Sequence, residues 1–513
     1  MNQPEIRVRF APSPTGALHI GGVRTALYNY LFAKKHNGKF LLRIEDTDQN
    51  RYVDFAENYI KESLEWLGIV PDESPWAGGL CSPYRQSERK EIYQEYAHKM
   101  VAEGKAYYAF DTAEELEAMR KRLETEGVSN PQYNALSREQ MKNSLTLPKE
   151  EVEARLKAGE PYTIRIKVPR KEEIRLNDLV RGWVVVHSSQ IDDKVLLKSD
   201  GMPTYHLANV VDDYLMGITH VIRGEEWLPS APLHVLLYRF LGWEAKMPQF
   251  AHLPLLLKPD GNGKLSKRDG DMHGFPVFPL AWTNPETQET VRGFREEGYL
   301  PEALINFLAF LGWNPGTEQE IFSLDELVQA FSIEKISKAG AKFDIKKAQW
   351  FNQYYIKQKD NAFWVNYLLQ NCPYPLEKIQ AEAIVALLKD RITFPKDFWE
   401  QAPYLFQTPE NYDEQTLASK WTNEVSLVLK QWKTLIPTID NKDWNAENIK
   451  HTLQQITENQ GIKLGKVMQP IRIALTGVAQ GADLMLIAQI IGKDETLKRI
   501  EKILAKMLQK EKI

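Results

Sequence analysis

Two short segments carry residue types suited to phosphate chemistry. His19, Ile20, Gly21 and Gly22 follow a strand-like stretch and a loop rich in proline and glycine, and they open a helical pattern. Glycines at such a turn let the backbone approach a ligand, and the N–H groups at a helix start attract phosphate oxygens, to which an imidazole can also donate. The plainer reading of this tetrapeptide is a helix start with a half-buried histidine. The second segment, Lys264, Leu265, Ser266, Lys267 and Arg268, lies between PDGNG at 259–263 and DGD at 269–271. Two lysines and an arginine on a glycine-flanked loop suit closure over a pyrophosphate leaving group, with the serine hydroxyl as a further donor. Taken alone, the segment reads more readily as a solvated basic turn or a charge-steering patch.

The elements that must position these segments follow from periodicity. Residues 6–10 alternate apolar and basic like a strand, and Pro12, Pro14 and Gly16 break it. Val23, Leu27, Tyr30 and Leu31 then recur at helical spacing up to His36, Asn37 and Gly38, and residues 40–44 read as the next strand. Strand and helix alternating at this pitch predict an α/β fold with a doubly wound, Rossmann-like parallel sheet. Helices are expected at 88–101 and 113–123, and the polar, proline-broken stretch 127–149 marks an inserted module. Strands at 162–168 and 182–187 are expected to close that module, and 194–197 to return to the sheet. Amphipathic windows at 325–331, 381–389, 425–435 and 497–507 predict a helical C-terminal third.

A chain of 513 residues exceeds one hydrophobic core, so roughly three domains are expected. With 43% apolar and 26% charged residues, it can bury those cores and is not a disordered protein. Glu5, Arg7 and Arg9 leave no apolar signal-peptide core near the start, and no run approaches the ~18 apolar residues of a membrane span. The two cysteines, Cys81 and Cys372, form no Cys-x-x-Cys pair, which excludes a disulfide framework and a cysteine zinc site and suits a reducing cytoplasm. A net charge of −4 argues against a broad RNA-binding surface, so any RNA contact must come from local basic faces.

Taken together, residues 11–22 and 264–268 resemble the two signature segments of class I aminoacyl-tRNA synthetases. APSPTG at 11–16, RIEDTD at 43–48, PYRQS at 83–87, YHLAN at 205–209 and VIRGEEW at 221–227 narrow the resemblance to the bacterial glutamyl-tRNA synthetases. It spans the N-terminal two-thirds closely, and the last third through weaker matches such as 461–477. The resemblance implies an enzyme that joins L-glutamate to tRNA(Glu) at the expense of ATP with Mg²⁺, acting as a cytoplasmic monomer away from membranes. Glutamate's α-carboxylate would attack the ATP α-phosphate, and a terminal ribose hydroxyl, the 2′ one by the class I likeness, would then take the glutamyl group. The family also implies that tRNA binds before glutamate is activated.

Two departures stand out. The family's first motif ends in a second histidine, whereas Gly22 stands here, so the backbone must replace that side chain. The segment 270–298, with WTNPE at 282–286, is longer than the resemblance leads one to expect. Some relatives hold zinc through a cysteine-rich site in the inserted module; with Cys81 the one cysteine nearby, none is expected here.

Glutamate presents two carboxylates and an ammonium, so its pocket needs cations and an anion, and arginine's planar fork suits carboxylates. By resemblance, Arg9 with Tyr205 and Asn209 holds the side-chain carboxylate, Ala11, Ser13 and Glu45 meet the ammonium end, and Arg223 faces the substrate's carboxylate charge. Arg43 with Glu45 or Asp46 reads alternatively as a surface ion pair. ATP is expected to meet His19, Gly21, Glu226, Leu256, Lys264, Leu265, Ser266, Lys267 and Arg268, with His19, Lys264 and Lys267 catalytic; Leu256 is equally a plain core residue. Arg391 matches an anticodon-reading arginine, or is a solvated helix end. Lys498, Arg499, Lys502 and Lys506 read as a solvated face or a set of phosphate contacts.

The resemblance implies residues 1–95 and 196–228 as two halves of the catalytic domain, and 96–195 as an inserted module for the tRNA acceptor end. It implies 229–345 as a stem-contact region with the basic loop, and 346–400 and 401–513 as helical anticodon-binding parts. A glutaminyl enzyme would carry a β-barrel in place of that helical tail. A silent RNA-binding paralogue would have no use for His19, Lys264 and Lys267 together.

Overall fold

The computed structural model describes residues 5–510, the side chains of Lys267, Asp271, His273 and Lys510 excepted. The chain divides into two compact units, residues up to 297 with 301–348, and residues 298–300 with 349 onward.

The first unit is built on a six-stranded sheet. Its strands are β1 (Arg7–Phe10), β2 (Lys39–Leu42), β3 (Glu173–Asp178), β4 (Gly182–His187), β5 (His220–Gly224) and β6 (Gln249–Leu253), in the spatial order β2-β1-β5-β6-β3-β4. The first five pair in parallel, and β4 joins β3 as an antiparallel edge. The sheet is therefore mixed, not wholly parallel. Helix α1 (Ile20–Lys35) connects β1 to β2, and from β1 the chain runs outward to β2 before returning to β5 on the other side. That reversal opens a crevice at the carboxyl ends of β1 and β5, where open α/β sheets bind ligands.

The strand at Gly182–His187 was expected to close the inserted module, yet it is the edge of this sheet. Val195–Leu197, expected in the sheet, instead pairs with Thr163–Ile166, which on its other side pairs with Ala106–Ala109, in a separate three-stranded sheet. Strand periodicity reports exposure, not partners. Residues of β3 alternate exposed and buried in strict order whichever sheet they join, so pairing is decided by contacts distant along the chain.

In the second unit all elements among the described residues are helical. One core gathers around Trp364, Ile384 and Phe398, another around Trp432, Leu453 and Ile503. Arg499, placed by periodicity on a basic outer face, is 1% exposed: its guanidinium donates to the carbonyls of Tyr404, Leu475 and Gln407 and pairs with Glu495 at 2.8 Å. It therefore cannot reach a phosphate. Lys502 donates to the Pro409 carbonyl and Lys506 pairs with Glu414.

Candidate functional site

β1 ends at Phe10 and passes into the loop of Pro12, Pro14 and Gly16, the last at φ 130°, which turns the chain across the sheet end. His19 then caps α1 (φ −73°, ψ 148°), its Nδ1 accepting from the Gly21 N–H at 3.1 Å. That bond makes Nε2 the protonated, donating nitrogen of the ring. A Cβ on Gly21 would sit 3.3 Å from His19 Nδ1, and one on Gly22 would come 2.7 Å from Leu18 Cδ1. The turn is too closely packed for a larger residue at Gly22 unless Leu18 moves.

A cavity of about 350 Å³ occupies the crevice. Arg9, Ala11, Ser13, Glu45, Tyr205, Asn209 and Arg223 all line it, as do His19, Gly21 and Glu226. A smaller chamber of about 50 Å³ adjoins it, bounded again by His19, Gly21 and Glu226 and now also by Leu256, Lys264 and Leu265. The histidine turn and the basic loop thus border one space. Lys264 Nζ stands 3.1 Å from Glu226 Oε1, and Leu265 is buried beneath it.

Ser266 does not line either cavity. Its amide bonds Asp269 at 2.7 Å as the cap of a short helix, Lys267–His273, and Asp269 also holds Lys258 at 3.0 Å. Arg268 is exposed on that helix, and the side chain of Lys267 lies outside the described residues. In the helical unit, Arg391 is exposed at the end of a 3-10 turn, Lys389–Arg391.

Beneath the larger cavity lies a buried ionic network. Arg43, fully buried, donates to Asp213 at 2.8 Å and to Glu45 at 3.0 Å, and lies 3.6 Å from Asp212. Arg9 grips Asp213 through Nε and Nη2 at 3.0 and 3.1 Å, and Arg89 holds Asp212 at 2.8 Å. Three arginines thus face three carboxylates. The Arg43–Glu45 pair is buried rather than on the surface, because Asp46 instead turns to the Ser87 amide and hydroxyl, at 2.8 and 2.6 Å. Burial pushes the Glu45 carboxyl up against the pull of Arg43 and Arg9. For Asp213 burial is outweighed by Arg9 and Arg43, and its carboxyl lies below the usual range. Asn209 donates to Glu45 at 3.0 Å, so Glu45 is held in place from two sides. The two-pronged edge of Arg9, Nε and Nη2, is taken by Asp213.

Arg223 differs: its partners are neutral. Nε donates to His252 Nε2 at 3.0 Å, Nη1 to the Tyr205 hydroxyl at 2.8 Å, and Nη2 to the Trp227 carbonyl at 3.4 Å. His234, its imidazole held far below the usual range by burial and by Arg223, lies 3.5 Å from Nη1. Trp227 leans over Tyr205, ring centroids 4.3 Å apart, and forms one wall.

Several of these residues escaped the sequence. Asp212 and Asp213 follow Asn209 by three and four positions on the helix α2 (Tyr205–Leu215), a spacing that puts them on one face and could have been read. His252 and Asp178 gave no local signal. Among the described residues no group of three His, Cys, Asp or Glu side chains stands close enough to hold a metal, and no helix is long and apolar enough to cross a membrane.

Comparison with known proteins agrees with this architecture. Residues 5–350 match the family described as tRNA synthetases class I (E and Q), catalytic domain, and residues 349–504 match an anticodon binding domain. A glutamate–tRNA ligase of Cytophaga hutchinsonii is 60% identical over 99% of this chain and 98% of its own length. That of Amoebophilus asiaticus is 61% identical over 98% of each. The crystal structure of a glutamate tRNA ligase from Elizabethkingia meningosepticum in complex with its amino acid superposes with a TM-score of 0.93 at 49% identity, covering 98% of this chain and 99% of that one. The chain belongs to the class I tRNA synthetases, in their glutamate–tRNA ligase branch.

Proposed function

We infer that this chain is a glutamate–tRNA ligase whose crevice activates L-glutamate with ATP and passes it to tRNA(Glu). The observation that carries the reading is the shared boundary of the two cavities, with His19, Gly21 and Glu226 between an arginine-lined pocket and Lys264. Glutamate occupies the larger cavity. Its side-chain carboxylate meets Arg9 Nη1, Tyr205 and Asn209, its ammonium meets Glu45 with Ser13 and the Ala11 backbone, and Arg223 supplies attraction for carboxylate charge. Adenine and ribose lie toward Leu256, Leu265 and Glu226.

An α-carboxylate oxygen attacks the ATP α-phosphorus in line, and the bond to the bridging oxygen of pyrophosphate breaks. His19 Nε2–H, Lys264, Lys267 and, from farther out, Arg268 and the Ser266 segment offset the charge that grows on the leaving group. The terminal ribose hydroxyl of tRNA then attacks the acyl carbon and AMP departs. Among the described residues no three His, Cys, Asp or Glu side chains gather as a metal site, and Mg²⁺ would arrive with the ATP phosphates and offset their charge. Within the inserted module Asp193 accepts from Tyr107 at 2.6 Å and Arg138 at 3.0 Å.

The module within 96–195 receives the acceptor end, 229–345 meets the stem, and 346–400 with 401–513 read the anticodon, Arg391 among them. The enzyme works as a cytoplasmic monomer. Charging of purified tRNA(Glu) with labelled glutamate tests the assignment, and preference for glutamine would overturn it. The same assay with tRNA(Gln) as acceptor decides whether that tRNA is charged too.

A further inference from the structure

Arg223 and His252 face one another as register partners on the parallel strands β5 and β6. Asp178, at the end of the next strand β3, pairs with Phe250, two residues from His252. The three side chains form a buried chain, 4%, 0% and 1% exposed. Arg223 Nε donates to His252 Nε2 at 3.0 Å, and His252 Nδ1 lies 2.6 Å from Asp178 Oδ2. The second oxygen of Asp178 accepts the backbone N–H groups of Val180 at 3.0 Å and Arg181 at 2.8 Å, which fixes the carboxylate. An ionised carboxylate can only accept, so the ring proton must sit on Nδ1. Nε2 is then an acceptor, and a guanidinium can only donate.

Arg9, Arg43 and Arg89 are each matched by a carboxylate in direct contact, and their charge is largely cancelled locally. Arg223 is orientated by an imidazole with the carboxylate one residue further back. A carboxylate in the place of His252 would grip the same guanidinium as an ion pair and weaken its attraction for an incoming anion. We propose that His252, locked by Asp178 with its proton on Nδ1, is a positioning residue that aims the Arg223 guanidinium into the crevice while leaving its charge for a substrate carboxylate. The proposal rests on the reading of Arg223 as a glutamate contact.

The amide variants separate this role from a purely structural one. In His252→Gln the side-chain amide reaches the place of Nε2 and restores an acceptor for Arg223. In His252→Asn it reaches only the place of Nδ1, keeping Asp178 and losing Arg223. Full-length enzyme is assayed by ATP–pyrophosphate exchange with tRNA(Glu) present, and thermal unfolding is followed for each variant. His252→Asn is expected to raise the glutamate KM roughly tenfold or more, as for loss of a charged hydrogen bond, with the ATP KM changed less than about twofold. His252→Gln recovers most of that loss at a similar melting temperature. Equal KM changes for the two variants, or equal effects on glutamate and ATP, would overturn the positioning role.

Should His252→Asn fail to fold, Asp178→Asn serves instead. Its amide can donate to Nδ1 and push the ring proton to Nε2, against Arg223, so the glutamate KM again rises about tenfold with ATP unaffected; an unchanged value overturns the proposal. Arg223→Gln is the control. An unchanged glutamate KM in that variant removes the contact reading itself, whereas a rise there with none in His252→Asn removes the positioning role alone.

Discussion

Lys264 Nζ lies 3.1 Å from Glu226 Oε1, so the basic loop touches the segment following β5 across 38 residues of sequence. Both side chains are about half exposed, 55% and 43%, and such a pair contributes roughly 0–1 kcal/mol. It is a contact that a triphosphate can displace at little cost. Lys264→Ala and Lys267→Ala are each expected to lower the rate of glutamate activation by roughly 10² to 10³, as for loss of a transition-state donor, while leaving the melting temperature unchanged. Pyrophosphate exchange measured with tRNA present checks this, and near wild-type rates would remove the loop from the chemistry.

Arg9 lines the crevice, and Asp213 holds its Nε and Nη2. Arg9→Ala is therefore expected to raise the glutamate KM by roughly ten- to a hundredfold, with little change in the ATP KM. Initial-rate measurements with each substrate varied in turn decide it; parallel changes in both constants contradict the pocket assignment.

Asp213 is the shared anion of Arg9 and Arg43, 2% exposed. Asp213→Asn keeps the shape but leaves two buried guanidinium groups short of a counter-charge, which costs about 3–5 kcal/mol. Urea denaturation of the full chain should show the unfolding of the catalytic unit moving to lower denaturant. A midpoint equal to wild type would mean that Asp212 and Glu45 compensate.

Four imidazoles in the catalytic unit, His206, His220, His234 and His252, are held below their ordinary range chiefly by burial. Burial takes His206 and His220 down to about 4, and His234 well below its ordinary range. For such a base the unfolded chain takes up its proton first, near pH 6.5, while the folded form resists until a much lower pH. Stability is full above pH 6.5 and falls as pH drops toward 4, by a few kcal/mol in total at ~1.4 kcal/mol per pKa unit. Urea midpoints across this window should decline steadily, and His220→Gln should flatten part of the slope. A flat profile from pH 6.5 to 4.5 contradicts it.

How far the site was legible depended on the range of the interactions. The helix start at Ile20, inside the His19–Gly22 segment read as opening it, follows from a cap bond between His19 and Gly21, two residues apart. The seven residues proposed to contact glutamate came from motif resemblance, and all of them line one cavity. The amide of Ser266 is spent on the Asp269 cap three residues on, a local Ser-x-x-Asp pattern present in the sequence.

The amino-acid order by itself determined the turns, caps, most helices and the chemical types at the crevice, because those depend on neighbours within about four residues and on side-chain chemistry. Only the tertiary structure decided which charges stay available. Arg9 loses its fork to Asp213, 204 residues away, while Arg223, 29 residues from His252, meets a neutral ring. It also decided which sheet Gly182–His187 joins. Burial forces such charges to find partners, and those of Arg9 and Arg223, like the strand at Gln249–Leu253 that draws the 173–187 hairpin into the sheet, lie far off in sequence, where no spacing rule can see them.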